Sequence, residues 1–61
     1  MSSLTQKELF ALEDALGAEA LLVKKFNGYA EMAQDPQIRT TAHQTAQRHK
    51  QHYEALLPYL Y

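Results

Sequence analysis

Three side chains in this 61-residue chain have the types and spacing for chemistry: Glu19, His49 and His52. The histidines stand three residues apart in His49-Lys50-Gln51-His52, so on a helix both imidazoles lie on one side. A carboxylate facing two imidazoles can form a hydrogen-bonded layer, ligate a transition metal, or act as a proton-driven switch. Each of these requires the fold to bring residue 19 beside residues 49 and 52.

Thr5-Gln6-Lys7-Glu8 has the pattern of a capping box, in which the threonine hydroxyl accepts from the Glu8 amide and the Glu8 carboxylate accepts from the Thr5 amide. A helix therefore starts here. Leu9, Leu12, Leu16, Glu19, Val23, Phe26, Ala30 and Ala33 follow at alternating steps of three and four, the spacing of a helix-bundle seam. Only Glu19 among them is polar. Ala15, Leu22 and Tyr29, each one position earlier than a seam residue, widen the stripe into a face able to meet more than one helix. The pattern passes unbroken through Gly17 and Gly28, so one helix over 6–34 is expected although each glycine costs about 1 kcal/mol relative to alanine. Phe10, Leu21 and Met32 recur every eleven residues on the far side. They are either a second contact surface, with the glycines allowing close approach, or isolated exposed apolar residues.

Asp35-Pro36 ends the first helix, because proline disfavours helical geometry at the residue before it, and the pair suits the N-cap and N1 positions of a second. Two long helices joined by so short a turn run antiparallel. The second is expected over about 36–57, with Ile38, Ala42, Thr45, His49, His52, Leu56 and Tyr59 as its seam. Pro58 ends or kinks it, leaving Tyr59-Leu60-Tyr61 as an apolar tail over Leu9 and Leu12. The expected fold is all-α: a single domain over 1–61, built as an antiparallel helical hairpin.

In a hairpin turning near residue 35, facing positions sum to about 70, which sets Glu19 opposite residue 51, between the histidines. The three side chains should converge. Two helices shield only one side of each other, so the hairpin is expected to form a homodimeric four-helix bundle. A twofold axis near Glu19 would then gather two glutamates and four histidines in one layer.

Three readings of that layer follow. It can be a hydrogen-bonded device that fixes helix register. It can bind metal through Glu19, His49 and His52, since carboxylates and imidazoles from facing helices make bundle metal sites. A di-iron centre uses a Glu-x-x-His motif whose glutamate bridges the metals, and here that position is His49, which argues against oxygen-activating or ferroxidase chemistry and leaves a Zn(II) or other single-metal site open. It can also be a switch, its four imidazoles repelling one another once protonated and loosening the dimer in mild acid.

Composition gives other classes no support. Six basic residues against seven acidic ones give a charge of −1 and no cationic row, which removes support for nucleic acid, including the RNA-binding kind of hairpin dimer, and for anionic membranes. No apolar run approaches a membrane span, and the start Met1-Ser2-Ser3-Leu4 lacks secretory-signal features, so a cytoplasmic protein is expected. There is no cysteine, no Gly-rich phosphate loop and no nucleophile set, so neither catalysis nor a small-molecule substrate is expected. His43, Arg39, Arg48 and Lys50 read as solvated surface groups, and Lys24-Lys25 as ordinary surface lysines or a local docking patch.

Several of these residues together resemble the spore coat protein F family, small helical members of the wider ferritin-like group. The resemblance runs from Leu9 to Tyr59 and rests on Leu16 with Glu19, Lys25 with Tyr29-Ala30, the turn Asp35-Pro36-x-Ile38-Arg39, and His52 with Leu56. It implies a ferritin-like helical fold, a structural role in spore coat assembly and partners among other coat-type proteins. It also implies that Glu19 matches the first-helix metal glutamate and His52 the histidine of Glu-x-x-His, with Zn or Fe as the metals such a site would take. His49 replaces the bridging glutamate, and the chain ends Pro58-Tyr59-Leu60-Tyr61 rather than in the family's Gly-Trp-Tyr.

Overall fold

A computed structural model describes residues 4–60. Its first helix, α1 (Gln6–Met32), begins at the expected capping box. The Thr5 amide donates to Glu8 Oε1 at 2.9 Å and the Glu8 amide donates to Thr5 Oγ1 at 3.1 Å. Hydrogen bonds from the Thr5 amide and then from its side chain hold the Glu8 carboxyl below its ordinary value of 4.5. A depressed folded-state value means that the cap acts fully above the unfolded value and is lost as pH falls through the folded one. The Thr5 amide resonance is therefore expected to titrate with a midpoint below 4.5. A midpoint at or above that value in a proton–nitrogen NMR titration would show the box open in solution.

The helix stops at Met32, two residues before the expected 34, because Ala33 is already extended (φ −72°, ψ 131°). Its amide still donates to the Tyr29 carbonyl at 2.9 Å. Asp35 then caps α2 (Pro36–Leu56), its Oδ1 accepting from the amides of Gln37 (2.7 Å) and Ile38 (3.3 Å). Arg39 is exposed, as expected, and also closes the turn. Its guanidinium donates to the Ala33 carbonyl through Nε (3.3 Å) and Nη2 (3.1 Å), and through Nη2 to the Gln34 carbonyl (3.3 Å). Those carbonyls follow a helix C-terminus, where a cation is favoured and a forked donor can satisfy two acceptors. At the far end α2 tightens into a 3₁₀ turn, Leu57–Leu60, in place of a helix running to 57 and an open tail. Pro58 has no amide hydrogen to continue the α pattern, and a 3₁₀ turn tolerates the loss. The turn packs against α1, as expected of the tail, with Tyr59 52% and Leu60 39% exposed. Tyr61 lies outside the described residues.

Leu16 and Ala30 of α1 and Ala42 and Ala46 of α2 form the buried core. Leu12, Val23 and Phe26 border it on one helix, and His49, Tyr53 and Leu56 on the other, all half-buried. The contact line of α2 thus runs Ala42, Ala46, His49, Tyr53, and four residues of the expected seam, Ile38, Thr45, His52 and Tyr59, lie beside it. Ile38 is 58% exposed and Tyr59 52%, and the His52 side chain is 52% exposed. Alanines at 42 and 46 let the helices approach closely, which centres the contact on them and turns the 38-45-52-59 row toward one flank.

The hairpin measures 46 × 15 × 11 Å, and its radius of gyration is 14.3 Å. A closed globule of this length would have about 10.5 Å. Its accessible surface of 4809 Å² likewise exceeds the roughly 4000 Å² of a compact monomer of the same mass. On the outer face of α1, Phe10 (54%), Leu21 (52%) and Met32 (73%) are exposed. A Cβ on either glycine there would meet nothing within 4 Å. Gly17→Ala is accordingly expected to stabilise the fold by about 1 kcal/mol in urea denaturation at fixed chain concentration. A loss of stability instead would mean that another backbone approaches Gly17 in the assembled protein.

Candidate functional site

Midway along the hairpin, α1 presents Glu19 and α2 presents His49 and His52, and the three converge as their register requires. Glu19 is the central residue of α1, and its side chain is 21% exposed. The Nδ1 of His49 lies 2.6 Å from Glu19 Oε1, and the Nδ1 of His52 lies 3.4 Å from Glu19 Oε2. An ionised carboxylate has no proton to donate, so the shorter contact places the proton on Nδ1 of His49, which donates to Glu19. That bond is charge-assisted and shielded on both partners, since the His49 side chain is only 23% exposed.

Ring packing also holds the His49 imidazole. Phe26, two turns beyond Glu19 on the same face, stacks on it with centroids 5.9 Å apart and planes at 17°. His52 meets it edge-on at 5.6 Å and 87°, and Tyr29 meets Phe26 edge-on at 5.5 Å and 89°. Stacked and edge-to-face geometries of this kind are the favoured ones for aromatic rings. One histidine is thus held by a carboxylate, a phenyl ring and a second imidazole, whereas the other points to the open flank.

Donor atoms from Glu19, His49 and His52 all lie within 4.8 Å of one another, which is close enough for a metal ion. Two ligands of one tetrahedral Zn(II), at bonds of about 2.0–2.1 Å, sit about 3.3 Å apart. The 3.4 Å between Glu19 Oε2 and His52 Nδ1 fits that edge. The 2.6 Å between Glu19 Oε1 and His49 Nδ1 is too short for two ligands of one ion and is a hydrogen bond. Glu19 and His52 therefore fit a metal as they stand, and His49 supports Glu19.

His43 is exposed and far from this layer, as expected of a surface histidine. A shallow groove of about 240 Å³, lined by Ala20, Val23, Lys50 and Tyr53, runs along the opposite side of the hairpin. Sequence reasoning placed Phe26 in the seam but not against His49; the register that pairs 19 with 51 also pairs 26 with 44, within reach of a long ring one turn away. Ala46 and Tyr53 were missed, although both follow Ala42 at helical spacing. Among the described residues no helix is long and apolar enough to cross a membrane. Set beside known protein families, curated proteins and solved structures, the chain matches none of them.

Proposed function

We propose that this chain is a non-enzymatic assembly protein that works as a homodimeric four-helix bundle, with the Glu19–His49 pair fixing register in its central layer. One observation carries the reading: an apolar flank lies open along one whole side of the hairpin. Helical spacing puts Leu22 and Tyr29 of α1 on the same side as Ile38, Thr45 and Leu56 of α2, with Tyr59 in the turn beyond. Three of these, Tyr29, Ile38 and Tyr59, are at least 48% exposed, and apolar residues gathered on one side mark an interaction surface. A 46 × 15 Å face offers about 690 Å² per copy, hence about 1,400 Å² for a stacked pair. Stable interfaces span about 1,200–2,000 Å².

The resemblance to spore coat protein F supports a coat-type setting and further partners of that type. The Asp35-Pro36-x-Ile38-Arg39 motif on which it partly rests has a structural task here, since Asp35 caps α2 and Arg39 closes the turn. Sedimentation equilibrium at micromolar concentration tests the dimer. The expected mass is twice the 7.0 kDa of the chain. A 7.0 kDa species persisting to about 100 μM would remove the proposal.

The convergence of Glu19, His49 and His52 favours a second reading, a ferritin-like metal-binding protein with a degenerate, non-di-iron site formed across the dimer. Zn suits it better than Fe because an imidazole occupies the bridging position. Element analysis of untagged protein, repeated on His52→Ala, separates the two. Protein free of transition metal that takes up neither Zn(II) nor Fe(II) would leave only the register-fixing role.

A further inference from the structure

We propose that one zinc ion bridges two copies of this chain, bound by Glu19 Oε2 and His52 Nδ1 of each, and that His49 is a positioning residue holding Glu19 by its other oxygen. This rests on the dimer proposed above and assigns its central layer a ligand set and a stoichiometry. One copy supplies two ligands with the edge length of a zinc tetrahedron, at 3.4 Å. Zinc takes four, and the second copy completes the set. His52 belongs to the open side, being 52% exposed there, and Glu19 keeps 21% of its side chain exposed, while His49 is turned inward against Phe26.

The position of the layer makes the pairing independent of how the hairpins stack. Glu19 is the midpoint of Gln6–Met32, so the layer meets its counterpart whether the two turns lie at the same end or at opposite ends. Charge argues the same way. Stacking without metal brings two carboxylates together in a half-buried layer, a like-charge contact that disfavours association. A divalent cation balances them, and two imidazoles complete a neutral site that suits zinc rather than calcium or magnesium. The short Nδ1–H bond from His49 to Oε1 then plays the part that outer-shell partners play at bundle metal sites, fixing the carboxylate so that Oε2 faces the ion.

Titration of the untagged full chain with zinc chloride, followed by calorimetry and by sedimentation, tests this. The expected result is one zinc per two chains and a self-association tightened about tenfold or more, because binding and assembly are reciprocally coupled. His52→Ala is expected to lose zinc uptake while retaining helical circular dichroism. His49→Gln is expected to weaken zinc binding about 10- to 100-fold at unchanged stoichiometry. With cobalt(II) in place of zinc, it should keep the visible spectrum of the unsubstituted protein, because His49 is not a ligand. One zinc per chain without a change in association would overturn the bridge, as would full uptake by His52→Ala or a changed cobalt spectrum in His49→Gln. A dimer that takes up no zinc would overturn the bridge and leave the dimer standing, whereas a monomer that takes up none would remove both.

Discussion

Leu22→Asp is expected to raise the dimer dissociation constant by about two to three orders of magnitude, a change of about 3–4 kcal/mol. Leu22 sits half-buried on the flank shared with Thr45 and Ile38, near the middle of the face assigned to the second copy. A carboxylate there would be desolvated without a partner in the dimer but hydrated in the separated hairpin, so the penalty falls mainly on association. Phe10→Asp, on the outer face of α1, should leave association unchanged. Sedimentation of both variants, with circular dichroism to confirm that each is helical, reads the result. If Phe10→Asp dissociates the protein and Leu22→Asp does not, the copies meet through the Phe10, Leu21, Met32 stripe.

The second large effect concerns the polar layer. Glu19→Ala removes the acceptor of the 2.6 Å bond and leaves His49 half-buried without its partner. A loss of about 1–3 kcal/mol is expected, the usual cost of stranding a shielded polar group. Replacing both residues, in Glu19→Leu/His49→Leu, should do the opposite. With the layer filled by apolar side chains beside Phe26, the protein is expected to match or exceed the unsubstituted stability by about 1–4 kcal/mol. Urea denaturation at one fixed chain concentration compares them, since the stability of a dimer depends on that concentration. A double variant less stable than Glu19→Ala would show that the layer stabilises the fold rather than specifying its register.

The hairpin was legible because its signals are local and agree with one another. The Thr5–Glu8 box, the Asp35-Pro36 boundary and the three-four spacing each follow from backbone chemistry within a few residues, and all of them appear in the structure. The convergence of Glu19 with His49 and His52 was legible for the same reason, since a tight turn converts sequence distance into register. The exact contact line of α2 was not. It depends on which side chains are small enough to let the helices close, and Ala46 competes with its larger neighbour Thr45 for that place. Hence Ile38, His52 and Tyr59 lie beside the contact rather than in it. The task of Arg39 at the turn was not legible because its acceptors, the Ala33 and Gln34 carbonyls, come within reach only once the turn has formed.

That turn bears on how chains could exchange parts. Helical hairpins can trade elements by straightening their turns into one continuous rod, so that each α2 packs on another chain's α1. Here a rod would need residue 36 to donate to the Met32 carbonyl. Proline cannot donate, and its ring would strike that carbonyl, at a cost of about 3 kcal/mol. The three bonds from Arg39 to the Ala33 and Gln34 carbonyls would be lost as well. The chain is thereby committed to folding on itself before it meets a neighbour, and copies can mix only by whole hairpins parting and re-associating.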